Sequence, residues 1–324
     1  MKGPAQAVPD RRSVFTAALE QAQEFMEAAE GAGPATRPVQ IFYSLSQFGR
    51  AIAAASSLLH DGEWRLKAHG IGTRNLDTSL GLCHVEVEPH ARGAFVGIAR
   101  AIGAEPLPAK ERLALGELWP LLPEAQSVVL PGSGSVPVLH FAPVALVHRE
   151  EKRWCRLSLL PVPSLVRDKT EEDPARLDEF LGHYPSLAGW SHTPDVPDSI
   201  IWKARDDRPG EELEIFLPSR LGRAARHEEG AEEALARATE YRGSRDFYAF
   251  PKLGSMSEPI HPLLAWWAVL FGLSILARYE PEAWAATIDI DRSPSANAVE
   301  HLLEQATAVV PHLALLAIKD VASR

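Results

Sequence analysis

Five polar side chains stand out by their placement: four interrupt or end apolar stretches, and one closes a mixed segment just before a glycine. Gln47 and Arg50 lie within Phe42-YSLSQFGRAIAAA, one helical turn apart. His69 precedes Gly70 at the end of Trp64-RLKAHG, and Arg278 and Glu280 abruptly end the apolar run that starts at His261. A buried arginine needs a carboxylate or several carbonyls. One arrangement that supplies them is a structural ion pair, Arg50 with Glu280, latching the two ends of the chain together. Another is a polar pocket in which Gln47, Arg50, His69 and Arg278 converge on an anion such as phosphate. In that arrangement His69, Arg50 and Arg278 are the candidate catalytic residues, and Glu280 stays with them in the candidate binding set. A plainer reading of His69 is a cation capping the C-terminus of a helix over Glu63–His69.

Other chemistry-bearing patterns are sparse. Asp289 and Asp291 alternate as paired acids do around Mg²⁺, but they also precede Ser293-Pro294, where helix N-capping is the simpler role. Cys83 and Cys155 are the only cysteines and show neither metal-ligand spacing nor a disulfide framework. No GxSxG, HExxH, CxxC or P-loop occurs; Gly132-SGS is not followed by GKS or GKT. No metal and no cofactor are therefore expected. A net charge of −10 argues against a surface that coats nucleic acid. Two reduced thiols and an N-terminus without a continuous apolar core point to a cytoplasmic protein with no membrane association.

These residues need elements to hold them. Apolar positions recur at helical spacing from Ser13 to Ala32 and again from Gln40 to His60. His261–Trp284 opens with a proline suited to a first helical turn, with Ser257 or Glu258 as candidate caps, and is stopped by Pro281. Apolar on all faces, it reads as the central core helix; Pro262 to Ala277 is shorter than the roughly 20 residues a bilayer requires. Trp266, Trp267 and Trp284 are expected core aromatics. Helices also follow Ser293-Pro294 and start at Pro311. Between the two ends the texture alternates. Gly81-LCHVEVEP and Gly93-AFVGIARAIG read as strands, Val136–Glu150 with Trp154–Val162 as a hairpin, and Ser199–Arg205 with Glu212–Pro218 as a second hairpin. Tyr241–Pro259 reads as a loop. The expectation is an α+β fold in which N-terminal helices (1–70) and C-terminal helices (243–324) pack on each other around an inserted β-rich module (71–242).

Three segments, Phe42-YSLSQFGRAIAAA, Trp64-RLKAHG and His261-PLLAWWAVLFGLSILARYEPEAWAATIDIDRSP, occur in the order found in the YaaC-like family of bacterial proteins, which the chain resembles over most of its length. The resemblance implies a helical part likened to HEPN domains and, from the setting of some members, a component of a multi-protein system such as antiphage defence. That component would act as an interaction or regulatory subunit with a protein partner or a second copy of itself. Two alternatives follow: a metal-independent HEPN-like ribonuclease acting on RNA near Arg50, His69 and Arg278, and a sensor of a small ligand or nucleotide. The Arg-then-His spacing of HEPN-like ribonucleases is met by Arg176 with His183 and Arg220 with His227, at a frequency chance would supply. Arg65 and His69 are one residue too close for it.

Overall fold

The computed structural model describes residues 3–134, 136–149, 152–191, 201–204, 210–222, 224–242 and 246–324. The helices in chain order are α1 (Pro4–Ala7), α2 (Pro9–Gly31), α3 (Arg37–Ala55), α4 (Ala94–Ala101), α5 (Leu115–Leu118), α6 (Ser164–Glu172), α7 (Ala175–Leu181), α8 (His227–Leu235), α9 (Pro262–Tyr279), α10 (Pro281–Thr287) and α11 (Ala296–Ser323). The strands are β1 (Ile71–Asn75), β2 (Glu86–Pro89), β3 (Leu113–Ala114), β4 (Leu139–Arg149), β5 (Lys152–Val162), β6 (Ile201–Ala204), β7 (Glu211–Pro218), β8 (Thr239–Tyr241) and β9 (Asp246–Ala249). The chain is α+β, with helices at both termini and a strand-rich middle. It divides into one unit of Met1–Gly134 with Leu253–Arg324 and a second of Ser135–Lys252. Residues 71–134, expected in the β-rich module, thus belong to the helical unit. Their three short strands form a separate antiparallel sheet, β1-β2-β3.

In the helical unit α3 is the hub. It packs on α2, α9, α11 and α4. The Ser44 hydroxyl donates to the Ala22 carbonyl at 2.7 Å, fixing α3 on α2. Buried Arg11 closes the far end: its guanidinium donates to the carbonyl of Ser56, the C-cap of α3, at 2.7 Å and to that of Leu59 in the loop that follows. Helix α9 is buried from Pro262 to Ser274, and its 18-residue span is 78% buried inside the folded chain. Among the described residues, it and α11 are the helices long and apolar enough to cross a membrane; the burial of α9 makes it a core helix. Trp266, Trp267 and Trp284 are all buried. Each fully buried aliphatic side chain of α9 contributes roughly 1.5–3 kcal/mol. Close approach of α9 to α3 requires Gly49, because a Cβ there would lie 2.7 Å from the Trp267 ring.

The cap of α9 is neither Ser257 nor Glu258, whose amides donate to Glu105 instead. It is His261, whose Nδ1 accepts the Leu263 amide at 3.2 Å. Other local expectations give way to tertiary structure. The Gly93 run is helix α4; a continuous apolar run of that length cannot be told from a buried strand by periodicity. Residues 63–69 are turn and coil, so His69 caps no helix there. Pro311 lies inside a continuous α11, held by buried Val309, Val310 and Leu313 despite the lost backbone hydrogen bond. Residues 241–259 carry β8 and β9 in part, because Ala249 and Tyr248 pair with β4.

The second unit is a six-stranded antiparallel sheet, ordered β6-β7-β5-β4-β9-β8. Both expected hairpins form, β4–β5 and β6–β7. The residues joining the strands of each hairpin, 150–151 and 205–209, lie outside the described residues. Cys155, Leu157 and Leu159 of β5 pair with Leu217, Ile215 and Leu213 of β7. This apolar face packs under Val166, Leu177, Phe180 and Ala234 of the three helices α6, α7 and α8.

Candidate functional site

The site is built on two helix faces and a loop. On α3, Tyr43, Ser46 and Arg50 follow each other at helical spacing; on α9, Phe271, Ser274 and Arg278 do the same. The Arg50 Nη1 donates back to its own helix, to the Ser46 carbonyl at 3.1 Å and the Ser46 Oγ at 2.8 Å. The Arg278 Nε donates to the Ser274 carbonyl at 3.1 Å, and its Nη1 donates to the Tyr43 hydroxyl at 2.9 Å. Its guanidinium also lies over the rings of Tyr43 and Tyr279, at 5.6 and 5.3 Å, a favourable placement for a cation.

His69 enters from the loop before β1. Its ring rests on Phe42 and Phe271, with centroids 5.6 and 5.8 Å away. The loop is strapped to the start of α4: the amides of Ala94 and Phe95 donate to the carbonyls of Ala68 and His69 at 3.1 and 2.9 Å. Those carbonyls serve donors that a helix N-terminus leaves open. Such contact is possible only because Gly70 and Gly93 both have positive φ and no side chain. A Cβ on Gly93 would lie 2.4 Å from the Gly70 Cα.

The electrostatics follow from what is missing around the cations. Among the described residues, neither Arg50 nor Arg278 has a carboxylate within ion-pair distance. Burial lowers the Arg50 pKa from its ordinary value. The His69 pKa is lowered too, first by burial and then by the charges of Arg278 and Arg50. The geometry brings the three together: Arg278 reaches Tyr43, His69 rests on the adjoining Phe42, and Arg50 bonds Ser46 one turn along the same helix. Neither His69 ring nitrogen has a hydrogen-bond partner among the described residues. The Arg50 Nε and Nη2 and the Arg278 Nη2 are likewise without one, and none is a fully buried orphan. The cluster therefore presents two partly engaged guanidiniums and a neutral imidazole to accessible space.

Glu280 takes no part in it. Its side chain is exposed and forms no ion pair among the described residues, because α9 ends at Tyr279 and Glu280 turns the backbone into α10. The latch between Arg50 and Glu280 is absent. Gln47 is half-buried on α3 without a side-chain hydrogen bond among the described residues. Tyr43, Phe42 and Phe271, which carry no sequence signal of their own, supply the hydroxyl and the aromatic shelf.

A family model described as YaaC-like Protein matches residues 2–318. The chain belongs to the YaaC-like family. No curated protein and no solved structure gives a match. In this YaaC-like chain the three segments that carry the family resemblance meet at His69: Phe42 comes from the first, His69 from the second and Phe271 from the third.

The remaining candidates lie elsewhere. Arg65 pairs with Asp10 at 3.0 Å and stacks on Trp64. Arg176, His183, Arg220 and His227 all belong to the second unit. Arg176 is engaged by Glu179 and Asp173. Asp289 accepts the Asp291 amide and faces Arg292 at 3.6 Å, as a loop-stabilising acid does.

Proposed function

We propose that this YaaC-like protein binds a small phosphate-bearing anion at Arg50, His69 and Arg278 and acts as a ligand-responsive component of a larger bacterial system. The supporting observation is the pair of half-buried guanidiniums without a carboxylate. Removing a guanidinium from water without a counter-charge is costly, and a bound anion offsets that cost with charge-assisted hydrogen bonds. The free N–H groups of both arginines and the neutral imidazole supply donors. The aromatic floor of Phe42 and Phe271 lowers the local dielectric and strengthens each interaction. Thermal denaturation in phosphate against chloride at equal ionic strength tests the reading. Phosphate should raise Tm by mass action, and Arg50→Gln and Arg278→Gln should each remove the gain while Arg65→Gln keeps it. An equal gain in all three variants would sink it.

A second reading, metal-independent RNA cleavage, is favoured by the state of His69. A neutral imidazole with unpartnered nitrogens can take the 2′-hydroxyl proton while two guanidiniums stabilise the phosphate. RNA incubated with the protein in EDTA should then be cut, and His69→Ala, still folded, should not cut it. A regulatory subunit of a defence system would pass the occupied state to a protein partner. Co-purification with a neighbour that depends on Arg50 would support that role.

A further inference from the structure

The second unit contains a cavity of about 440 Å³ beside the ends of β5 and β7 and the last turns of α8. That volume lies in the range of small-molecule sites. Its floor is apolar: Cys155, Leu217 and Ala234 are each at most 3% exposed. Burial, with Glu233 second, pushes the Cys155 thiol up to about 11, so the floor is uncharged at neutral pH.

The rim is ionic, and its charges do not balance. Glu233 is already engaged, accepting from the Ser219 hydroxyl and from the Arg220 amide at 2.8 Å. Arg237 is partly buried, and its guanidinium donates to the Ala188 carbonyl. Burial lowers its pKa, Glu233 opposes that, and the Arg220 charge lowers it further. Neither Arg220 nor Arg237 forms an ion pair among the described residues. Two guanidiniums thus share the rim with one carboxylate whose oxygens are occupied.

We infer that this cavity binds a small organic carboxylate with an apolar body, the carboxylate on Arg237 and Arg220 and the hydrocarbon against Cys155, Leu217 and Ala234. The apolar floor rewards the hydrocarbon by burial, and the arginine pair rewards the head group with charge-assisted hydrogen bonds. The site is independent of Arg50, His69 and Arg278 and requires nothing of them.

Hexanoate is the probe, with acetate lacking the body and hexanol lacking the charge. Alkylation of Cys155 in the full chain, read on its own peptide by mass spectrometry, reports occupancy of the floor. Hexanoate at about ten times its Kd should slow that alkylation about tenfold; acetate and hexanol at the same concentration should not. Arg237→Gln and Arg220→Gln should lose the protection, and Arg50→Gln should keep it. Should Arg237→Gln fail to fold, Arg220→Gln decides, since its exposed side chain leaves no buried gap. Equal protection by hexanol would mean mere filling of an apolar void. Protection that survives in Arg220→Gln, or no protection by hexanoate at all, equally overturns the inference.

Discussion

The Tyr43 hydroxyl accepts a hydrogen bond from the Arg278 Nη1 at 2.9 Å, joining helices far apart in sequence. A neutral hydroxyl holds the guanidinium in place yet leaves its charge intact. An acid at position 43 would have done the opposite. Tyr43→Phe should therefore cost about 0.5–1.5 kcal/mol of stability and weaken phosphate binding through loss of positioning. Urea denaturation and phosphate titration of the same variant check both effects.

Arg50 and Arg278 should behave as functional groups do when they weaken the fold that carries them. Without anions, Arg50→Gln should match or exceed the parent in Tm, because it removes a half-buried charge with no counter-ion. In phosphate the order should reverse. Paired thermal scans with and without phosphate test this; a variant that is less stable in both would point to a purely structural arginine.

His69 gives a sign for the pH response. Its folded pKa lies below the ordinary 6.5, through burial, Arg278 and Arg50. The unfolded chain takes up the proton first, so the contribution is full above pH 6.5 and declines as pH falls below it. Histidine NMR should place the His69 midpoint below 6.5. Added phosphate should move it upward, since the anion counters both arginines, and phosphate should bind more tightly as pH falls.

His261 carries a second titration, unrelated to the site. Burial lowers its pKa to about 4, with Asp320 opposing the shift and Arg324 adding to it. Neutral Nδ1 is what accepts the Leu263 amide. Stability should fall as pH drops from 6.5 towards 4, by at most about 3 kcal/mol. His261→Asn should keep a capping oxygen and flatten that slope, as chemical denaturation across this range would reveal.

Two glycines on α2 and α3 make a controlled pair. Gly49→Ala drives a Cβ to 2.7 Å of the Trp267 ring and should cost about 1–3 kcal/mol as overpacking does. At Gly31, where nothing lies within 4 Å, the same substitution should be neutral or should stabilise by about 0.4–1 kcal/mol. Equal effects at both sites would contradict the close approach of α3 and α9.

How much of this was legible in the sequence depends on how local the cause is. The α9 span shows in its composition and its terminal proline, and the β4–β5 and β6–β7 hairpins show in their alternation. Arg50 interrupts apolar sequence and Arg278 ends it, whereas His69 stands in the mixed segment Trp64-RLKAHG, immediately before Gly70. Their grouping is one of two arrangements the residue types allow; the other, a pairing of Arg50 with Glu280, does not form, because Glu280 lies exposed just past the end of α9 at Tyr279. Tyr43 was hidden because a tyrosine in an apolar helix carries no signal of its own; only the position of α9 gives it a partner. The α4 segment reads as a strand in sequence for a similar reason. The carbonyls that cap it come from Ala68 and His69, and no local pattern announces them.

The helical unit draws on both flanks of the chain, with the second unit between them. During synthesis this order has a consequence. Residues 135–252 emerge before α9 exists, and at roughly 5–20 residues per second the N-terminal helices wait for many seconds without their central partner. Arg50 and His69 cannot meet Arg278 until that wait is over. Anion binding at the cluster is thereby a property of the finished polypeptide alone: a nascent chain stalled anywhere before Arg278 cannot report the ligand.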